Sequence, residues 1–163
     1  MQQFDAATRP TTPPLQHAAA STLPATPPLQ HAAAFTFIIE LTGVTRHLSK
    51  REEAVDAVMA ACDLIPRLDA MSFSGAKSDE HRSINRVHVG VVHGALGKEL
   101  HEWRPPQVAD YVKIKGSGRY APGQTEAQAV ADMREVLDEL ERRFPGLKAK
   151  ITPEQQVGRP MMP

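Results

Sequence analysis

Four short stretches of alternating apolar residues, punctuated by two stretches where apolar residues recur every three to four positions, leave this chain few architectures. "FTFIIELTG" at 35–43 sets Phe35, Phe37, Ile39 and Leu41 on one face, with Thr36, Glu40 and Thr42 on the other. "RVHVGVVHG" at 86–94 gathers Val87, Val89 and Val91, and sends His88 and His93 to opposite faces, which argues against a shared metal. "DYVKIKG" opposes Val112 and Ile114 to Tyr111, Lys113 and Lys115, and "LKAKI" makes a short fourth strand. Between the first two strands, Ser49 and Glu52 have the spacing of a capping box. Val55, Val58, Met59, Cys62 and Ile65 follow as an apolar stripe that predicts a helix and a buried Cys62 thiol. Thr125 and Gln128 repeat that spacing before Val130, Met133, Leu137, Leu140 and Phe144, and Pro145 with Gly146 ends the helix. The order β-α-β-β-α-β predicts an α+β, ferredoxin-like fold, a four-stranded antiparallel sheet with two helices on one face. That architecture hosts unrelated functions, so function must come from residues.

The 163 residues suit one domain, read as 35–153, with appendages. "TPPLQHAAA" occurs twice in residues 1–34. Two copies are too few for a solenoid, and the paired prolines predict a disordered Pro/Ala-rich leader; 154–163 reads as a flexible tail. His17 and His31 in the repeats lack nearby Cys or carboxylates and make a poor metal site. Lys and Arg number 19, as do Asp and Glu, which removes the global attraction to nucleic acid or anionic membrane. No apolar run is long enough to span a bilayer, no signal peptide is legible, and a single cysteine fits a reducing compartment; a cytoplasmic location is expected.

Two functions of this topology fit poorly. RNA recognition needs stacking aromatics on the central strands, and "ADYVKIKG" offers only Tyr111. An acylphosphatase-like site needs G-V-x-x-R after the first strand, but in "GVTRH" Arg46 falls one residue early and His47 takes its place. The one Asn, Asn85, opens the second strand instead of lying near the third. The "SFSGAKSDEHRS" loop, 72–83, reads as polar and mobile. Asp138 with Arg142 and Glu139 with Arg143 read as i, i+4 ion pairs.

"GVTRHLSKREEAVDAV" resembles the start of the dimerisation, or lid, domain of M20 metallopeptidases, the relatives of acetylornithine deacetylase and succinyl-diaminopimelate desuccinylase. Gly43, His47, Ser49, Ala57 and Val58 fit that pattern, while Leu48, Arg51 and Asp56 depart from its usual Ser, Pro and Asn. "VHVGVVHGA" is similar to the family's Gly-rich second strand, and "RYAPGQTEAQAVADMREVLDEL" to its R-x-x-P-G-x-T segment. The connection "LGKELHEWRPPQV" has Trp103 where an Asn is usual.

The resemblance implies a homodimer formed by sheet-edge and helix pairing, possibly joined to a catalytic M20 domain. It implies that His47 donates to the substrate carbonyl oxygen in the partner subunit's site, and that Arg119 binds a substrate carboxylate. Zinc or another divalent metal belongs to the family's catalytic domain. No H-x-D motif occurs here, and Glu52 and Glu53 read as helix-start carboxylates instead of metal ligands. The expectation is a lid domain without its enzyme, inactive alone and without metal ligands; the alternative is a stand-alone small-ligand-binding or acylphosphatase-like protein.

Overall fold

The computed structural model describes residues 32–101 and 106–154. The leader to residue 31, the segment 102–105 with Trp103, and residues 155–163 lie outside the described residues. Strands β1 (Ala33–Thr42), β2 (Arg86–Ala95), β3 (Tyr111–Tyr120) and β4 (Lys148–Glu154) form one antiparallel sheet in the order β2-β3-β1-β4. A six-residue 3-10 helix, Leu48–Glu53, precedes α1 (Ala57–Ala70); α2 (Asp79–Ile84) and α3 (Glu126–Arg143) complete the chain. The expected fold is present. Among the described residues, no helix is long and apolar enough to cross a membrane.

Alternation in β1 works as read: Phe35, Phe37, Ile39 and Leu41 are fully buried. They meet Ile114 and Val112 of β3, Leu64 and Leu68 of α1, and Met133, Leu137 and Leu140 of α3 in one core. Each such side chain contributes about 1.5–3 kcal/mol of burial. Gly116 and Gly118 of β3 sit directly across from Phe37 and Phe35, and their missing side chains make room for the two rings. The Thr125–Gln128 capping box forms and starts α3.

Where α1 begins is different. Ser49 and Glu52 fall in the 3-10 turn; α1 starts at Ala57, capped by Asp56, whose Oδ1 accepts from the Val58 and Met59 N–H groups at 3.0 Å. The reason is a non-local pairing. Val44 and Val55 exchange backbone hydrogen bonds of 3.0 and 2.9 Å, which holds Val55 extended and postpones the helix. The expected stripe on α1 is consequently not the core-facing one: Ala57, Ala60, Ala61, Leu64 and Leu68 are buried, whereas Val58, Met59 and Cys62 are exposed. Two apolar stripes exist on this helix, and the one with small residues permits close packing on the sheet.

β2 also departs from strict alternation. A β-bulge between Val89 and Val91 moves the pairing by one, so Val91 pairs with Lys115 and leaves the face of Val87 and Val89. The same bulge puts His88, opposite Ser117, and His93, opposite Lys113, on one face instead of two, though still roughly 13 Å apart along the strand. The 72–83 loop contains α2 and is stapled: the Ser74 N–H and Oγ donate to Asp132 at 2.6 and 2.9 Å, and Gln124 Nε2 donates to the Phe73 and Ser74 carbonyls. On α3, Asp138 pairs with Arg134, Glu139 with Arg142 at i, i+3, and Arg143 reaches Asp63 of α1, so neither expected i, i+4 pair forms.

Candidate functional site

β1 ends at Thr42, and Gly43 turns the chain so tightly that a Cβ there would lie 2.0 Å from the Val55 carbonyl oxygen. The loop that follows is held by backbone. Val108 N–H donates to the Arg46 carbonyl at 3.0 Å and Leu48 N–H to that of Pro106 at 2.7 Å, which makes a bridge between His47 and Gln107. His47 is exposed at the start of the 3-10 helix. Its Nδ1 accepts from the Ser49 N–H at 3.2 Å and lies 2.9 Å from Ser49 Oγ. An Nδ1 that accepts a backbone N–H cannot carry the proton itself, so the neutral ring is protonated on Nε2. The result is an N–H donor projecting from a braced loop, although capping a 3-10 turn and not α1.

Arg119 is exposed on β3, paired with Ala34 of β1 and Arg86 of β2, and no carboxylate pairs with it among the described residues. It stands at the opposite end of the sheet from the His47 loop, since Thr42 pairs with Tyr111 there; the intervening strand is roughly 25 Å. The two residues therefore cannot grip one small substrate within a single chain. Asn85 lies at the Arg119 end as well. It is buried, its Nδ2 donating to the Phe73 carbonyl at 3.2 Å, which separates it from the 43–47 loop that an acylphosphatase-like site would use. Among the described residues, no group of three or more His, Cys, Asp or Glu side chains is placed to hold a metal ion. Glu53 faces Arg46 and Lys50, at 3.7 and 4.0 Å.

Two features escaped sequence reasoning. Leu48, Val58, Met59, Val91 and Val92 are 37–53% exposed, on the 3-10 helix, the outer side of α1 and the edge strand β2. Leu48 and Val58 line a largely apolar depression of about 470 Å³ with Gly94, Ala95 and Pro106. The second feature is a buried Tyr111, whose hydroxyl donates to Glu40 Oε1 at 2.5 Å. Burial, and then this hydrogen bond, push the Tyr111 hydroxyl from 10.0 up to about 12. A raised value stabilises the fold fully below the unfolded value and loses that contribution as pH rises through the folded one. Wild type is thus expected to lose about 2 kcal/mol more between about pH 9 and pH 11.5 than Tyr111→Phe does, measured by urea unfolding. Equal losses would contradict the assignment.

No family model matches the chain, and no curated protein matches it. Solved structures do. A tripeptidase from Staphylococcus aureus matches at 25% identity and TM-score 0.56, over 77% of this chain and 29% of its own. An aminobenzoyl-glutamate utilization protein from Klebsiella pneumoniae matches at 18% and 0.57, over 78% and 29%. An amidase of the hydantoinase/carbamoylase family from Burkholderia vietnamiensis matches at 14% and 0.59, over 78% and 28%. The chain thus has the fold of a domain that occurs within peptidases and amidohydrolases, and it spans less than a third of those proteins' length.

Proposed function

We propose that this chain is the dimerisation, or lid, domain of an M20-type metal-dependent amidohydrolase or peptidase, working as a two-fold dimer beside a catalytic domain. The observation that carries the reading is a sheet edge beside exposed apolar residues: among the described residues no strand pairs with the outer edge of β2, and Val91 and Val92 on it, with Val58 and Met59 on α1, are exposed. The likeness to a domain inside larger peptidases and amidohydrolases supports it.

Symmetry gives the separation of His47 and Arg119 a meaning. If two β2 edges pair antiparallel about a two-fold axis, the His47 end of one protomer comes alongside the Arg119 end of its partner. One active site would then use a His47 N–H from one chain and Arg119 from the other. In the reaction the negative charge that grows on the carbonyl oxygen is met by the His47 Nε2–H, a donor whose removal typically costs about 3–4 kcal/mol of barrier. Arg119 would hold a substrate carboxylate by a two-pronged hydrogen bond. The divalent metal that supplies the attacking hydroxide would be held by the catalytic domain.

The isolated chain is expected to hydrolyse no N-acyl amino acid with zinc or cobalt added, whatever the concentration. Metal-dependent turnover by the purified chain, abolished by a chelator, would overturn the reading of a module without its own catalytic centre.

A further inference from the structure

The face of the sheet opposite α1 and α3 is unusually cationic. Strand registers bring Arg86, Lys113, Lys115, Arg119, Lys148 and Lys150 to it, against two carboxylates, Glu40 and Glu154. Both carboxylates are engaged: Glu40 accepts the Tyr111 hydroxyl, and Glu154 lies 3.9 Å from Lys115. Among the described residues, Lys115 alone of the six cations has a carboxylate within ion-pair distance. A chain with 19 acidic and 19 basic residues has therefore concentrated positive charge on one flat surface, and the remainder of the molecule carries the compensating acid. Val91, which the bulge turns to this face, and the partly buried Ile38 lie in one row across it, both flanking Lys115.

We propose that this face docks an acidic polypeptide segment, its carboxylates meeting the lysines and an apolar side chain resting on Val91 and Ile38. Charge complementarity supplies the attraction, and the spacing suits a peptide. Lys113 and Lys115, like Lys148 and Lys150, stand two residues apart on a strand, roughly 7 Å, which is also the same-side repeat of an extended chain. A nucleic acid fits less well. Tyr111, the one Phe, Tyr or Trp of this face among the described residues, is buried and hydrogen-bonded, which leaves only the exposed imidazoles of His88 and His93, roughly 13 Å apart, to meet a base. The surface shares Arg86 and Val91 with β2, but the lysines to be tested, Lys113, Lys148 and Lys150, lie on β3 and β4, away from the proposed β2 contact, so peptide binding can be measured independently of dimerisation.

The test uses the full chain and a short labelled peptide of repeated Glu-Glu-Leu, followed by fluorescence anisotropy. Binding is expected at low salt and should weaken as salt rises. Neutralising the two lysines that flank Glu40, Lys113→Gln with Lys150→Gln, should weaken it about fivefold, while Arg142→Gln on α3 should leave it unchanged. Thermal melting of each variant shows that the fold is kept, and Lys148→Gln, on β4 beside Lys150, should also weaken binding. The proposal is overturned if the peptide does not bind, if the double variant binds as wild type does, or if a single-stranded oligonucleotide of equal charge binds more tightly than the peptide.

Discussion

Gly118→Ala is expected to cost about 3 kcal/mol of folding stability, a large effect for one methyl group on a strand. A Cβ at that position would stand 2.4 and 2.6 Å from two carbons of the Phe35 ring. Phe35 has nowhere to go, because it is fully buried with Phe37, Phe73 and Tyr120 rings packed around it at centroid distances of 6.1, 6.2 and 6.1 Å. Either the ring leaves its rotamer or β3 moves away from β1, and both damage the centre of the core. Gly90→Ala is the matched control: a Cβ there has its nearest neighbour at 3.9 Å, and its effect should stay within about 0.5 kcal/mol. Urea unfolding of the three proteins decides the matter, and a loss below about 1 kcal/mol for Gly118→Ala would show that Phe35 does not occupy this space.

The second large effect concerns association. Met59 is 50% and Val92 45% exposed, on the outer side of α1 and on the sheet edge, and the proposed two-fold contact would bury both in each protomer. Burying such side chains contributes about 1.5–3 kcal/mol apiece, and symmetry counts every substitution twice. Met59→Glu combined with Val92→Glu would replace that gain with carboxylates buried without partners, so the dimer dissociation constant should rise at least about a hundredfold. The folded monomer should be nearly as stable as before, since neither side chain belongs to the buried core. Unchanged association of the double variant would place any contact elsewhere on the molecule.

Local patterns carried the fold because β1, β3 and α3 obey single periods and face one core. Phe35 through Leu41 and the Thr125–Gln128 box could be read from neighbouring residues alone. What failed was set by distant partners. The Val44–Val55 pairing interrupts a helix start that Ser49 and Glu52 advertise. On α1 both the Val58–Met59–Cys62 stripe and the Ala57–Ala60–Leu64 stripe have helical spacing, and only the packed sheet selects between them. The bulge at Gly90 reverses the faces of everything after it in β2, a change that one residue of register produces and alternation cannot report. The same limit applied to the site. The place of His47 in an exposed loop was legible, and its proton position follows from Ser49, but the distance to Arg119 depends on strand pairing. Tyr111 with Glu40 is a contact across 71 positions of sequence, invisible without the β1–β3 register.

Sedimentation equilibrium of the purified chain tests the central claim most directly. A domain built to pair β2 edges and α1 outer faces should sediment as a dimer at micromolar concentration and shift to monomer in the Met59→Glu, Val92→Glu variant. A wild-type chain that remains monomeric at hundreds of micromolar would contradict the account, leaving the exposed edge and its apolar residues without the partner proposed for them.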